Sequence, residues 1–531
     1  MVSATPIGRR AIAASAPVVD AGYGWVRGFR NDDVFTFRGI RYGAPTGGNQ
    51  RFLPPRRPVS WSGVHDATTY GYSAPQSNPD APAGTRPPAL NELFGSSNGF
   101  RADPDENEDC LFLNVWTKGL GTARNRPVMV WLHGGGFASG SASILLYDGT
   151  NLARRNDVVV VGINHRLNVF GYTHFGDLVG DEFAQSGNAG QLDIVLALEW
   201  VRENIARFGG DPHRVTVFGE SGGGAKVSFL LASPPARGLF KRAIIESGPG
   251  IRMGERDAAS VTADMLLSEL GLKPHQIREA QQLPMARVLA ACFAVQGKRP
   301  ASGLGSGGGF APVLDPEVLP AHPFAPVASP LGADVPVIVG WNRTESTLFS
   351  LGDPAAFTLD EAGLEMRLKN LFGDEAGNVH KAFRAAGGNP SDIYFRITSH
   401  QMMAANSILL AERKAAQKAA PVYLYRFDWH TGALDGRLRT PHGLEMPFVF
   451  DNIEEGGAVL TGGGARPQAL AARMSATWAA FAETGVPDAP GSGLPHWPAY
   501  DAKARQTMIF NDESAVVSDP QSEERRVLAA T

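Results

Sequence analysis

The sequence has little of several features that would place it in a special class. Its 531 residues include only two cysteines, Cys110 and Cys292, which argues against a disulfide scaffold. One bridge between them is an alternative, but two free, buried thiols are what we expect. No apolar run approaches the ~18 residues of a membrane-spanning helix. A net charge of −4 gives no electrostatic case for a nucleic-acid or anionic-membrane partner.

The N-terminus has only a weak leader pattern. Arg9 and Arg10 precede a stretch rich in Ala, Ser and Pro, without the strong apolar core of a signal peptide. We interpret residues 1–17 as a flexible tail or as the remnant of a processed leader. The sequence leaves the cytoplasm open as a location, and also the periplasm or the exterior if a leader was trimmed.

Short, continuous apolar runs are frequent along the chain. Such runs, without alternation, are typical of strands that are buried on both faces of a mainly parallel sheet. A helical pattern at 190–208 is an example of what lies between them, and strand–helix alternation predicts an α/β fold with helices on both faces. The predicted strands are at 128–133, 158–164, 215–219, 243–247, 335–340 and 422–427.

Two irregular segments interrupt this alternation, at 73–104 and around 296–313. Both are rich in residues that break regular structure. Long insertions of this kind in compact domains are lids, binding loops or disorder, and we expect both segments to lie over the ends of the sheet.

The stretch "RVTVFGESGGGAK", at 214–226, places one serine among glycines. Ser221 fits the G-x-S-x-G pattern, with a predicted strand before it and a predicted helix after it. Such a turn is strained, and the glycines remove collisions and let a carbonyl approach the hydroxyl and the Gly222 N–H. A phosphate-binding loop does not fit, because Ala225 stands where that pattern needs lysine.

A second glycine-rich stretch, "WLHGGGFASG", follows the predicted strand at 128–133. An oxyanion hole needs two or three N–H groups directed at one point, and glycines let a carbonyl oxygen come close to the backbone. Three glycines after a strand are also compatible with a loose loop, but their place beside the serine turn favours the hole. A dinucleotide-binding fingerprint does not fit, because Ser139 occupies the place of its third glycine.

Several longer motifs occur in a characteristic order, and together they resemble the type-B carboxylesterases, the carboxylesterase/cholinesterase family of the α/β-hydrolase fold. The resemblance implies one such domain over 18–531, with lid-like insertions near 73–104 and 248–313. In character the chain is most similar to bacterial broad-specificity esterases. The motifs are "GIRYGAP", "NEDCLFLNVW", "HGGGF", "NHRLNVFGY", "GNAGQLD", "NIARFGGDPHRVTVFGESGG", "SPPARGLFKRAIIESG" and "LPHWPAY".

The resemblance also implies a catalytic triad. In this fold the order is serine, acid, histidine, which points to Glu345 in "GWNRTESTLF" and His442 in "TPHGLEMPF". The residues that flank Glu345 depart from the family's usual Asp-Glu-Gly, but the acid itself is kept. His430 is the main alternative base, and Asp315 is interpreted as structural.

Further roles are implied by the same resemblance. Gly135, Gly136 and Gly222 would form the oxyanion hole. Ser247 would hydrogen-bond the triad acid and Glu220 would line the pocket, although each is also compatible with an ordinary buried polar residue. Phe137 is a pocket candidate.

Phe100 stands where cholinesterases of the family carry a tryptophan that binds quaternary ammonium. Choline esters are therefore not indicated.

The expected activity is hydrolysis of carboxylic esters through an acyl-enzyme, with water as acyl acceptor and no metal or cofactor. A small-molecule ester is the expected partner of a monomer or small homo-oligomer. The same triad could also serve an amidase, a carbamate hydrolase or an acyl transferase. A non-catalytic binding or adhesion protein of this fold is the alternative from another class.

Overall fold

The computed structural model of the chain describes residues 16–80, 105–121, 125–299 and 309–530. The interpretation of the N-terminus as a tail therefore falls mostly outside the described residues. Within them, Pro17 accepts a hydrogen bond from the Gly28 N–H, and a strand begins at Val18. Most of the predicted insertion at 73–104 and residues 300–308 of the second one also lie outside the described residues.

The described residues contain an eleven-stranded sheet and a separate three-stranded sheet. The large sheet has the order β14-β13-β12-β11-β10-β9-β7-β8-β6-β4-β3, and the small one the order β1-β2-β5. The strands are β1 (Val18–Asp20), β2 (Trp25–Arg27), β3 (Phe29–Asn31), β4 (Val34–Arg41), β5 (Val64–Asp66), β6 (Phe112–Thr117), β7 (Arg126–Leu132), β8 (Val159–Ile163), β9 (Gly210–Glu220), β10 (Arg242–Glu246), β11 (Val337–Asn342), β12 (Val422–Phe427), β13 (Gln506–Phe510) and β14 (Ala515–Ser518).

The helices flank this sheet, and a π-helical turn at His400–Ala404 joins two of them. The α-helices are α1 (Thr150–Asn156), α2 (Asn168–Tyr172), α3 (Gly176–Val179), α4 (Ala189–Asn204), α5 (Gly222–Leu230), α6 (Arg256–Leu270), α7 (Ile277–Gln282), α8 (Met285–Lys298), α9 (Ser346–Phe349), α10 (Glu361–Phe372), α11 (Ala376–Ala385), α12 (Pro390–Ser399), α13 (Ala405–Ala416), α14 (Met446–Val449), α15 (Ala458–Thr461), α16 (Ala465–Thr484) and α17 (Ser522–Ala530). No helix in the described part of the chain is both long and apolar enough to span a membrane.

The six predicted strands are confirmed as the centre of the large sheet. From β8 through β7, β9, β10, β11 and β12 to β13, every neighbouring pair is parallel. The outer pairs on both sides are antiparallel. The prediction of a mainly parallel sheet is therefore confirmed, and its antiparallel pairs lie at the two edges.

The continuous apolar runs exist because both faces of the central strands are covered. Alternate residues of β7 enter two different buried clusters: Val128 and Val130 pack in one, Met129 and Trp131 in the other. Each strand thus contributes to a core on both sides of the sheet. Cys110 and Cys292 belong to separate clusters and are free, as expected.

The parallel strands all end at one edge of the sheet, and polar residues follow directly there. Such an edge is where open α/β sheets bind ligands. The loops after β7, β9, β10, β11 and β12 carry His133, Ser221, Ser247, Glu345 and His442 respectively.

Candidate active site

Ser221 occupies the turn between β9 and α5. Its backbone has φ 57° and ψ −123°, a strained conformation for a residue with a side chain. A Cβ on Gly222 would lie 2.2 Å from the carbonyl oxygen of Gly136. A Cβ on Gly248 would lie 1.8 Å from the Ser221 carbonyl oxygen. Close contacts between backbones therefore account for these glycines around the serine.

The glycine loop, residues 133–137, follows β7 and packs against this turn. Gly135 and Gly136 both have positive φ, 85° and 63°. A Cβ on Gly134 would lie 3.3 Å from the Ser221 Cβ. Within the described residues, the N–H groups of Gly135, Gly136 and Gly222 have no hydrogen-bond acceptor. Three free backbone donors next to one serine are available to an oxygen that develops negative charge.

His442 and Glu345 form a close, buried pair. The imidazole Nδ1 lies 2.6 Å from Glu345 Oε2, and the backbone N–H of His442 donates to the backbone carbonyl of Glu345 at 3.3 Å. Glu345 is completely buried, and its other oxygen accepts the Asn342 N–H at 2.6 Å. These contacts hold the ring so that Nε2 points away from the carboxylate.

Glu220 faces the other nitrogen of the same ring. Its Oε1 lies 3.1 Å from His442 Nε2, within ion-pair distance, but the two atoms are not aligned as a hydrogen bond. No hydrogen bond joins the Ser221 hydroxyl to His442 among the described contacts. The Nε2 atom therefore keeps its hydrogen-bonding capacity, and catalytic hydrogen bonds commonly tighten only when substrate binds.

A buried polar network supports the acid from behind. Asn342 Nδ2 donates to the carboxylate of Glu445 and to the Pro441 carbonyl. The Ser247 hydroxyl donates to Glu445 Oε1 at 2.8 Å. The hydrogen bond from Ser247 thus goes to Glu445 rather than to Glu345, and it reaches the acid only through Asn342. Glu445 is the acceptor that Ser247 and Asn342 share in this network.

Burial and charge crowding shift the pKa values of the site. Burial opposes the protonation of His442, but the carboxylates of Glu220 and Glu345 outweigh it and raise the pKa of His442 to about 10. Burial raises the pKa of Glu220 to about 8, against the opposing effect of His442. Burial and the charge of Glu345 raise the pKa of Glu445 to about 7. The protonation of each of these three residues therefore depends strongly on the charges of its neighbours.

A cavity of about 910 Å³ opens onto Ser221. Phe137 lines it, as the sequence analysis proposed, while Phe100 lies outside the described residues. Ile251 and Met253 form part of one wall, and Met402 of the π-helical turn forms part of another. Ile251 and Met253 fall within the predicted insertion near 248–313, whereas Met402 was not predicted, because no local pattern marks its segment.

The structure also separates the alternatives that the sequence left open. His430 is exposed, and the imidazole that contacts Glu345 belongs to His442. Asp315 accepts the backbone N–H groups of Glu317 and Val318, a turn-forming role. Sequence reasoning missed Phe349, whose ring lies 5.1 Å from that of His442. Its only signal was its place a few residues after the acid.

Comparison with known proteins agrees with this architecture. The model of the carboxylesterase family matches residues 15–527. The chain belongs to the carboxylesterase family. A para-nitrobenzyl esterase of Bacillus subtilis is 35% identical to it over 522 residues, which are 96% of this chain and 98% of that protein. A phenmedipham hydrolase of Pseudarthrobacter oxydans is 33% identical over 512 residues, covering 94% and 96% of the two chains.

A solved structure shows the same fold. A carboxylesterase from Geobacillus stearothermophilus aligns with a TM-score of 0.80 at 34% identity, and the match covers 96% of this chain and 99% of that one. The fold is accordingly the α/β-hydrolase fold, with its large sheet flanked by helices. As a carboxylesterase, the protein is an enzyme that hydrolyses small-molecule carboxylic esters.

Proposed function

We propose that Ser221 is the nucleophile of this carboxylesterase, His442 its general base, and Glu345 the carboxylate that orients the base. The N–H groups of Gly135, Gly136 and Gly222 would form the oxyanion hole. The observation that carries the proposal is the buried His442–Glu345 pair beside the strained serine turn. Such a pair leaves Nε2 free to exchange a proton with a hydroxyl.

Acylation begins when His442 Nε2 takes the proton of the Ser221 hydroxyl as its oxygen attacks the ester carbonyl. The carbonyl oxygen becomes negatively charged, and each backbone donor stabilises that charge by about 3 kcal/mol. The tetrahedral intermediate collapses, the bond to the alcohol oxygen breaks, and His442 gives its proton to the departing alcohol. The acid remains bound to Ser221 as an ester.

Deacylation repeats these steps with water as the acyl acceptor. His442 takes a proton from the water as its oxygen attacks the acyl-enzyme carbonyl, and the same three N–H groups bind the new oxyanion. The bond to the Ser221 oxygen breaks and the serine recovers its proton from His442. The products are one carboxylic acid and one alcohol, and the chain's own residues supply every proton transfer.

The shape of the cavity favours esters with a bulky apolar group. About 910 Å³ is far more than an acetyl group fills, and Phe137, Ile251, Met253 and Met402 make much of its surface apolar. Burial of apolar area stabilises a bound group by about 25 cal/mol per Å². We therefore propose that kcat/KM rises from acetyl to longer acyl chains.

The test is a panel of nitrophenyl esters of graded acyl length, with matched amides and carbamates. Wild type, Ser221→Ala and Ser233→Ala are compared, and Ser233 is a matched control because it is a buried serine without a hydrogen-bond partner for its hydroxyl in the described residues. We expect Ser221→Ala to lose activity by at least about 10⁴-fold. Ser233→Ala should keep wild-type activity.

A fluorophosphonate probe followed by peptide mapping gives the second readout. We expect the phosphonyl group on residue 221 of wild type and of Ser233→Ala, and on no residue of Ser221→Ala. Full activity in Ser221→Ala would refute the assignment of the nucleophile. If the enzyme cleaved the amides or carbamates faster than the esters, the proposed substrate class would be wrong.

A further inference from the structure

A lysine is completely buried directly behind the glycine loop. Lys226 lies on α5, one and a half turns after Ser221, and has no exposed surface. Its Nζ donates to the carbonyl oxygen of His133 and to that of Gly136, both at 2.9 Å. Burial lowers the pKa of Lys226 to about 7, while Glu220 acts in the opposite direction. An ammonium group in this position needs a reason, because removing it from water is costly.

The two carbonyls that Lys226 binds lie near both ends of the glycine loop. The carbonyls between them have partners within the loop and just after it: Gly134 faces the Nδ1 of His133, and Gly135 accepts the N–H groups of Ala138 and Ser139. In a trans peptide the N–H and C=O groups point in opposite directions, so that fixing a carbonyl fixes the N–H of the next residue. The loop's donors are therefore oriented through its carbonyls.

We propose that Lys226 is a positioning residue that holds the glycine loop in the conformation that stabilises the oxyanion. Its Nζ holds the peptide group that joins His133 to Gly134 and the one that joins Gly136 to Phe137. The N–H groups of Gly135 and Gly136 belong to the two peptide groups between these, whose carbonyls have the partners given above. The inference rests on the proposed function, since it takes these N–H groups as the oxyanion hole. It adds a residue whose side chain need not touch the substrate.

The loop needs an external clamp because of its composition. Three consecutive glycines allow many backbone conformations, and ordering each residue costs about 1 kcal/mol or more. The loop has no side chain at positions 134–136 that could pack and restrict it. A charged donor with two carbonyl acceptors provides this restraint from the neighbouring helix.

The chain offers a matched control at a second buried lysine. Lys414 on α13 donates to the carbonyls of Gly332 at 3.0 Å and Ala333 at 2.7 Å, and burial lowers its pKa to about 8. It is chemically similar to Lys226, but its carbonyls belong to a loop that does not carry the proposed catalytic groups. Replacing Lys414 removes a buried lysine without touching the glycine loop.

The experiment compares Lys226→Met with Lys414→Met in the full-length enzyme. The concentration of active sites is measured by exhaustive phosphonylation, and kcat and KM are measured with a nitrophenyl ester. We expect Lys226→Met to lower kcat about 10- to 100-fold with little change in KM, because a displaced donor acts on the transition state. Lys414→Met should lose thermal stability and keep the kcat of its titrated sites.

A trifluoromethyl ketone provides a readout that a merely structural role would not change. The Ser221 oxygen adds to the carbonyl of this inhibitor and an oxyanion forms. The corresponding secondary alcohol binds without forming one. In Lys226→Met we expect the affinity for the ketone to fall by the same factor as kcat/KM. The affinity for the alcohol should not change. In Lys226→Gln, whose neutral amide keeps N–H donors but is one bond shorter, the loss should be smaller, about threefold to tenfold.

Two results would overturn the inference. One is a folded Lys226→Met that lies within about twofold of wild type in kcat/KM and ketone affinity. The other is a Lys226→Met whose losses equal those of Lys414→Met. If Lys226→Met does not fold, Lys226→Gln is compared with Lys414→Gln, and the same two criteria apply. Failure of the proposed function is distinguishable, because it would appear in wild type and Ser221→Ala before any lysine variant is measured.

Discussion

Glu220 and His442 face each other at 3.1 Å in a site that solvent barely reaches. The imidazole must be neutral to accept a proton, yet the negative charge of Glu220 favours the imidazolium. Burial raises the pKa of Glu220 to about 8, which favours its neutral form. A protonated Glu220 no longer attracts a proton to His442, so the two groups together determine when the base is available.

Replacing Glu220 should shift the pH profile of catalysis. The acid limb of kcat/KM reports the deprotonation of the base in the free enzyme. In Glu220→Gln the carboxylate that raises the pKa of His442 is gone, so the pKa falls and the base stays neutral at lower pH. We expect the acid limb to move down by about one pH unit. The measurement is kcat/KM from pH 5 to about 10.5, which spans the pKa of His442.

Glu255→Gln is the control for that experiment. Glu255 also lines the cavity, but it is more than half exposed and pairs with Arg252. Its removal changes the net charge equally and should leave the limb in place. An acid limb that stays or moves upward in Glu220→Gln would show that Glu220 does not act on the base.

At the scale of elements, the central strands and the strained turn at Ser221 could be predicted from the sequence. β7, β8 and β12 are buried on both faces, so each is a continuous apolar run. The turn at Ser221 has its own sequence pattern. β1, β2 and β3 have three residues each, too few for a pattern of their own. The π-helical turn at His400–Ala404 also has no periodicity that distinguishes it from a helix.

One buried ion pair joins two of these elements. Arg166 follows β8, and its guanidinium donates to both carboxylate oxygens of Asp193 on α4, at 2.6 and 2.9 Å. Both side chains are fully buried. Removing one partner leaves an unpaired buried charge, so Asp193→Asn should lower the free energy of unfolding by about 3–5 kcal/mol. Urea unfolding followed by fluorescence measures this loss.

Glu203→Gln provides the comparison on the same helix. Glu203 is paired with Arg57 at the surface, and such pairs contribute about 1 kcal/mol or less. The kcat of titrated sites should be unchanged in both variants, because neither residue lies in the cavity. Equal stability of Asp193→Asn and wild type would contradict the fold-holding role of the pair.

At the scale of the whole molecule, the site is assembled from segments that are far apart in sequence. The proposed triad could be predicted because each of its members lies within a recognisable motif. The insertion near 248–313 was predicted, but its individual lining residues were not, since 249–255, 311–313 and 401–403 meet only through the tertiary fold. The mixed character of the sheet was also hidden, because antiparallel edges depend on strand order rather than on local composition. The extent of a single domain over 18–531 stays a prediction.

The stability of the whole molecule should depend on pH through Glu246. This carboxyl is on the last residue of the central strand β10, accepts the Trp478 indole N–H at 2.8 Å, and has one oxygen without a hydrogen-bond partner in the described residues. Burial raises its pKa well above the ordinary value, followed in effect by the charge of Glu445. The folded state therefore keeps a proton that the unfolded state releases above pH ~4.5.

The stabilisation that protonated Glu246 provides is complete below the pKa of this carboxyl in the unfolded state. It is lost as pH rises toward the pKa in the folded state, at about 1.4 kcal/mol per pH unit. Glu246→Gln removes that dependence. We expect its Tm to fall less than that of wild type between pH 6 and 8.5, measured by differential scanning fluorimetry. Glu365→Gln, at an exposed position on α10, should follow wild type. Parallel curves for all three proteins would rule out a buried proton on Glu246.

The backbone contacts at the nucleophile turn have a consequence for protein engineering. Gly222, Gly223 and Gly248 leave no room for a methyl group, so a library that varies them would yield inactive clones. Ile251 and Met402 are free of this restriction, because they line the cavity and are only partly buried. Altered substrate preference should thus be sought by randomising residues that line the cavity, with the turn at Ser221 kept invariant.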